Sequence, residues 1–333
     1  MKISVIGLGK MGLLHSGILN SLPNVSVASV CETELFLSAA AKIILPKGAT
    51  IYRDAQEMID EEDPDAVYVT TPIDTHATIV ENLLRTKLNL NVFVEKPLAA
   101  SSEQAKIMCD AASRSRGVNM VGFQRRFSPI YRKAKELLMN ETLGRPIFFR
   151  AYCFSSDVLR DGSAWRSKRA SGGVLLDLSP HLLDILIWFF GDPSSTEAVK
   201  KQIHSREVED YVHAILSYKS DLQGHLDVCW SVSNYRLPQV LLEVYATNGI
   251  LTVTDDFVKV SSSKQFSVDD EESRIYHKQS FQVPIPFLLT DPEYTLEDVA
   301  FLEAIRTQAT PETSFVQAAK VNTLIDKILA NST

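Results

Sequence analysis

The sequence predicts an α/β protein: an N-terminal Rossmann dinucleotide-binding domain over residues 1–122, then an α+β domain over residues 123–333 with a large, mostly antiparallel sheet and C-terminal helices. Three observations lead there. A β-branched run at residues 2–6 passes directly into the glycine turn GLGKMG and a helical pattern. Strand and helix patterns then alternate as far as residue 123. From residue 147 the pattern changes to strands joined by short turns.

Composition narrows the class of function. The 333 residues suffice for two domains with cores of their own, and 45% hydrophobic content is that of a soluble globular protein. A formal charge of −7, with no long basic run, argues against a nucleic-acid partner. The longest strongly apolar run, residues 182–190, is interrupted by Asp184. It is well short of the roughly 20 residues that a bilayer span requires. The N-terminus enters a strand without the features of a signal peptide, so a cytoplasmic location is expected. Cys31, Cys109, Cys153 and Cys229 are far apart with no CxxC pair, as suits reduced thiols. No metal site is expected, because no His/Cys/Asp cluster has zinc-ligand spacing.

The first elements read as a nucleotide site. In Gly7-Leu8-Gly9-Lys10-Met11-Gly12, Gly7 permits the tight turn and Gly9 lets backbone approach a pyrophosphate. Gly12 lets the following helix, which runs to about residue 22, pack closely on the strand with its amino end toward the anion. A second strand, residues 25–31, ends in Glu32, twenty residues after Gly12. An acidic side chain there bonds an adenosine ribose hydroxyl and repels a 2′-phosphate, which favours NAD over NADP; the alternative is an acid at a helix N-terminus. Further strands are expected at 66–71, 91–95 and 118–123, with helices at 76–86 and 102–116. These are βαβ units of a mostly parallel sheet, so ligand groups should emerge at the strands' carboxyl ends. Thr71-Pro72 closes one strand and Glu95-Lys96-Pro97 the next, which puts the Lys96 amine over the cofactor crevice unless it is an ordinary surface lysine. His76 reads as a helix-start or supporting residue.

Residues 172–191, GGVLLDLSPHLLDILIWFFG, read as an apolar helix interrupted by Asp177, His181 and Asp184 at i, i+4 and i+7. A buried carboxylate needs a partner or a cavity, so this shared stripe is either an active site or a structural His–Asp pair. Pro180 inside the helix strengthens the first reading. Beyond it, strands at 211–217 and 224–232, then 240–246 and 250–253, pair through turns at 219–222 and Asn248-Gly249. The sheet face with His213, His225 and Trp230 calls for a cover, and a second subunit is expected there, with the histidines structural. Two amphipathic helices, 295–308 and 313–330, flank Pro311 and close the chain.

Taken together, GLGKMG, Thr71-Pro72 with His76, Glu95-Lys96-Pro97, the run Gly122-Phe123-Gln124-Arg125-Arg126-Phe127, and Gly172-Gly173 followed by Asp177, His181 and Asp184 resemble the glucose-fructose oxidoreductase, inositol dehydrogenase and MocA family of sugar and polyol dehydrogenases. The resemblance covers nearly the whole chain. It implies NAD contacts from Gly7, Gly9, Lys10, Met11, Gly12, Glu32, Thr71, Pro72, His76, Glu95 and Lys96, with Lys96, Asp177 and His181 as the catalytic group. Ser179-Pro180 replaces a glycine common in the family, and Ile73 replaces an asparagine that often follows the Thr-Pro pair. Both departures bear on substrate identity more than on reaction type.

The implied reaction moves hydride between a secondary hydroxyl of a sugar, polyol or nucleotide sugar and the nicotinamide, while a side chain takes the hydroxyl proton. His181 is the expected base, oriented by Asp177, with Lys96 as electrostatic partner and relay; the reverse assignment stays open. Asp184 is expected to hold a neighbouring substrate hydroxyl, and Arg126, Trp165 and Arg166 to line the rim. Arg166, Lys168 and Arg169 either bind a substrate phosphate or form a solvated loop. The expected assembly is a homodimer or homotetramer formed through the C-terminal sheet. Two other functions fit the same residues: an NAD-dependent glycosidase without net cofactor reduction, and a dinucleotide-binding regulator without turnover.

Overall fold

The strand Lys2–Ile6 (β1) pairs in parallel with Ser26–Cys31 (β2) on one side and Ala66–Val69 (β4) on the other. The computed structural model describes residues 1–34, 48–139, 143–159, 172–235, 237–262, 273–283, 285 and 291–333. With Thr50–Tyr52 (β3), Asn91–Glu95 (β5) and Asn119–Gly122 (β6), the sheet has the order β3-β2-β1-β4-β5-β6, all parallel. β4 and β5 are buried at every residue, as a sheet covered on both faces requires. The chain changes direction across the sheet between β1 and β4, which is where open α/β sheets bind ligands.

Helices Lys10–Ser21 (α1), Ala55–Glu62 (α2), Ile73–Thr86 (α3) and Ser102–Arg114 (α4) link these strands. The Asp54 side chain accepts the Glu57 amide at α2, and Ser101 accepts the Gln104 amide at α4.

The chain divides into two compact units, residues 1–124 with 284–322 and residues 125–283 with 323–333. The C-terminal segment is divided between the two units, residues 284–322 going with the first and 323–333 with the second. Pro292–Thr307 (α8) packs on α1, the Val121 amide donates to the Thr313 carbonyl at 2.8 Å, and the Phe315 amide donates to Asn119 Oδ1 at 2.8 Å. These contacts tie α8 and the segment at Thr313 and Phe315 to the first unit.

The second unit holds an eight-stranded sheet: Pro146–Phe154 (β7), Ser195–Lys201 (β8), Tyr211–Ser217 (β9), Gln223–Cys229 (β10), Gln239–Ala246 (β11), Gly249–Val253 (β12), Phe257–Ser262 (β13) and Ser273–His277 (β14). Its order is β14-β13-β12-β11-β7-β10-β9-β8, antiparallel except for β7 with β10. Along β9, buried Val212, Ala214 and Leu216 alternate with half-buried Tyr211, His213 and Ile215, so one face is packed and the other is not. Pro129–Met139 (α5) covers β12 and β13, while Val174–Asp177 (α6) packs on β9 and β10. Both contact Pro180–Phe190 (α7). Trp230 does not join the open face: it is 1% exposed and its indole donates to Asp210 Oδ1 at 2.6 Å. Among the described residues, no helix is long and apolar enough to cross a membrane.

Candidate functional site

The glycine turn sits at the switch point, and each glycine has its own physical reason. Gly7 has φ +90°, and a Cβ there would lie 2.8 Å from Thr71 Cγ2. A Cβ on Gly12 would lie 2.0 Å from the Gly7 carbonyl oxygen, so only glycine lets α1 approach β1 this closely. Among the described residues nothing lies within 4 Å of the Gly9 Cβ position, an open cradle at the turn. Gly9 is also the N-cap of α1. With no side-chain cap and no acid in that first turn among the described residues, its amides and positive dipole end suit a pyrophosphate, and Lys10 is exposed beside them. Glu32 is buried against the turn: its Oε2 accepts the Leu8 amide at 2.7 Å and its Oε1 accepts the Glu34 amide at 2.8 Å. The residues present fit a dinucleotide carrying a free ribose 2′-hydroxyl.

Beside this turn, the Thr70 hydroxyl donates to the Gly7 carbonyl at 2.6 Å, joining the ends of β1 and β4. Pro72 caps α3. His76 and Glu95, both expected among the cofactor contacts, are buried. His76 is 1% exposed, with Nε2 2.9 Å from the Thr71 carbonyl and Nδ1 3.1 Å from that of Pro97. Burial pushes its pKa down against the pull of those carbonyls, and the ring ties the turn after β4 to the segment after Lys96. Glu95 Oε1 lies 3.0 Å from His15 Nε2, while its Oε2 accepts the Lys96 amide at 2.9 Å. Lys96 follows the end of β5 and is half-buried.

His15 was not foreseen from the sequence. It is fully buried on α1, its Nδ1 2.9 and 3.1 Å from the two carboxylate oxygens of Asp298 on α8. Burial alone would lower its pKa, but Asp298 and Glu95 outweigh that and hold it well above the usual range. Glu297 completes the cluster: His15, Glu95 and Glu297 each offer a potential ligand atom, all within 4.8 Å of one another. Burial pushes the Glu297 carboxyl well above its usual range. The available signal was positional, since His15 falls on the same buried stripe as Gly12, Ile18 and Leu19.

In the second unit, residues 172–191 are two helices rather than one. α6 ends at Asp177 and α7 starts at Pro180, whose missing amide costs nothing at that first position. The entry is built tightly. Gly172 has φ +72°, and a Cβ on Gly173 would fall 2.0 Å from the Glu209 carboxyl, which accepts the Leu175 amide at 3.2 Å. Glu209, also unforeseen, thereby holds the start of the segment carrying Asp177 and His181. Those two residues are half-buried, whereas Asp184 is 1% exposed.

Arg126, expected at the rim, and Asp184, expected to hold a substrate hydroxyl, are buried and bonded to each other. The guanidinium Nε donates to Asp184 Oδ2 at 2.7 Å and Nη2 to Oδ1 at 2.6 Å, and Arg126 is 4% exposed. Buried charges must be paired, and this bidentate contact pairs them with each other. Trp165 and Arg166, with Lys168 and Arg169, lie outside the described residues. On the half-exposed face of the sheet, His213 Nδ1 lies 3.1 Å from Asp227 Oδ1, an ordinary structural pairing.

Comparison with known proteins agrees with this architecture. Residues 1–123 match the oxidoreductase family with the NAD-binding Rossmann fold, and residues 131–252 match the GFO/IDH/MocA C-terminal domain. The scyllo-inositol 2-dehydrogenase (NAD(+)) of Bacillus subtilis (strain 168) is 26% identical over 332 residues, covering 96% of this chain and 90% of that protein. The myo-inositol 2-dehydrogenase of Thermotoga maritima is 27% identical over 235 residues, 68% of each chain. A levoglucosan dehydrogenase solved with NADH and levoglucosan shares the fold, with a TM-score of 0.86 over 99% of this chain and 96% of that one at 23% identity. With both of its domains matched, the chain belongs to the GFO/IDH/MocA family of oxidoreductases, whose N-terminal domain is the NAD-binding Rossmann fold.

Proposed function

We propose that this protein is an NAD-dependent dehydrogenase acting on a secondary hydroxyl of a sugar or polyol, with Lys96, Asp177 and His181 as its catalytic group. The observation that carries this reading is the match of both family domains on a chain that keeps the open glycine cradle and all three of those residues. Bound NAD supplies hydride acceptance. The chain's own residues do the rest: the cradle at Gly9 and the start of α1 hold the pyrophosphate, and Glu32 holds the ribose. The His181 imidazole takes the hydroxyl proton, Asp177 orients that ring, and the Lys96 ammonium stabilises the developing alkoxide. The cyclic polyols named for the two inositol dehydrogenases are the first substrates to try.

The protein acts in the cytoplasm as a homodimer or homotetramer. Supporting an assembly, the half-exposed sheet face carries Phe148 stacked on Tyr245 and Tyr152 stacked on Phe154, a broad aromatic surface of the kind subunits cover. The test of function is NADH formation across inositols, free aldoses and nucleotide sugars. K96M and H181A should each lower turnover by about 10² or more with NAD affinity within a few-fold. No NADH from any of these substrates, or normal turnover in both folded variants, would overturn the reading.

A further inference from the structure

We propose that His15 is a positioning residue for Lys96, acting through Glu95 from inside the first unit. The inference rests on the reading of Lys96 as a catalytic group. Glu95 divides its carboxylate, one oxygen 3.0 Å from His15 Nε2 and the other accepting the Lys96 amide at 2.9 Å. Asp298 holds the opposite ring nitrogen of His15 at 2.9 Å, so the ring cannot turn away from Glu95 without losing both partners. Tyr68 and Phe93 wall the ring in, with centroids 5.4 and 5.1 Å from its own. One chain of contacts thus runs from the helix after the glycine turn, through a buried imidazole, to the backbone that presents Lys96.

Stability alone gives a poor account of this cluster. Buried ion pairs seldom stabilise more than apolar groups of the same volume, and here Glu95, Glu297 and Asp298 crowd one histidine. Glu297 is fully buried and neither carboxyl oxygen has a hydrogen-bond partner among the described residues. Such an arrangement is costly as a core and useful as a clamp, since a fully engaged Glu95 allows the Lys96 backbone one setting. A divalent cation does not fit as well. Carboxylates face both nitrogens of His15 at hydrogen-bond distance, which uses both as donors and leaves neither to ligate.

The experiment compares H15Q and E95A with K96M, alone and combined, measuring NAD affinity by titration and kcat and KM with the best substrate. H15Q and E95A should bind NAD within about threefold of wild type and lose roughly 10- to 100-fold in kcat, with KM little changed. In the K96M background neither should lower the residual turnover further, because the group they position is gone. An equal loss in both backgrounds would overturn the proposal in favour of a structural role, as would wild-type kcat in H15Q and E95A. Normal turnover in K96M itself would remove the catalytic reading and this inference together. K96M inactive beside a normal H15Q would remove the inference alone. Turnover lost on dialysis against EDTA and restored by zinc would assign the cluster to a cation and likewise overturn it.

Discussion

Gly9 and Gly12 lie three residues apart in one turn, yet alanine at each should fail in opposite ways. At Gly9 the backbone has φ −63° and ψ −171°, which alanine adopts without strain, and nothing stands within 4 Å of the new methyl. Alanine is the poorer N-cap by about 0.5 kcal/mol, while stiffening the unfolded chain returns about 0.4–1 kcal/mol. The two offset, so the melting temperature of G9A should stay within about 2 °C of wild type. The methyl fills the cradle, and NAD affinity should fall at least about tenfold, or 1.4 kcal/mol. At Gly12, alanine gains about 1 kcal/mol of helix propensity, but its Cβ would stand 2.0 Å from the Gly7 carbonyl oxygen. That oxygen is backbone and already accepts the Thr70 hydroxyl, so it cannot swing aside. Overpacking at the upper end of its range, about 3 kcal/mol, leaves a net loss of about 2 kcal/mol and lowers the melting temperature by roughly 4–8 °C. Thermal melts and calorimetric NAD titration of both variants decide the matter. A destabilised G9A with normal NAD affinity, or an unperturbed G12A, would refute the assignment of the turn.

Three further outcomes are expected. E32A should narrow an NAD-over-NADP preference of at least about tenfold, read by titrating both cofactors; an unchanged ratio would place the discrimination elsewhere. D184A leaves the Arg126 charge buried without its bidentate partner and should cost about 3–5 kcal/mol in urea unfolding, whereas a loss under 1 kcal/mol would mean that Arg126 finds other compensation. Glu297 and His15 both have folded pKa values above their ordinary ones, so the folded unit binds more protons than the unfolded chain. Their contribution is complete below about 4.5 for Glu297 and 6.5 for His15 and is lost as pH rises toward the folded values. E297Q, already neutral, should therefore match wild type near pH 4.5 and exceed it at pH 8, by about 1.4 kcal/mol for each pH unit over which only the folded carboxyl keeps its proton. Urea midpoints with the same pH slope in both proteins would contradict this.

What the sequence revealed follows from how local each signal is. The turn GLGKMG, the strand before Lys96 and the hairpin at Asn248-Gly249 are written in adjacent residues, and each lies where it was expected. Thr50–Tyr52 and Ala55–Glu62 escaped notice because three residues cannot display a period and the helix AQEMIDEE is mostly polar. The break at Ser179 was hidden by continuous apolarity on both sides, although Pro180 marks it once it is read as a helix start rather than an interior kink. Arg126 with Asp184, and His15 with Asp298, are joined across 58 and 283 residues. Arg126 and Asp184 read as substrate contacts because nothing near either in sequence marks its partner, and for the same reason His15 and Asp298 went unremarked. The return of residues 284–322 to the first unit is likewise a matter of long-range contact that order along the chain does not encode.

The central claim, hydride transfer from a carbinol carbon to bound NAD, is tested most directly with a substrate from the screen carrying deuterium on the reacting carbon. Incubation with NAD followed by mass spectrometry of the isolated nicotinamide cofactor should show one deuterium per NADH, with NADH and ketone formed in equal amounts. K96M and H181A should yield the same labelled product at rates about 10² lower. Product formed by bond cleavage without NADH accumulation, or NADH without the label, would contradict the account.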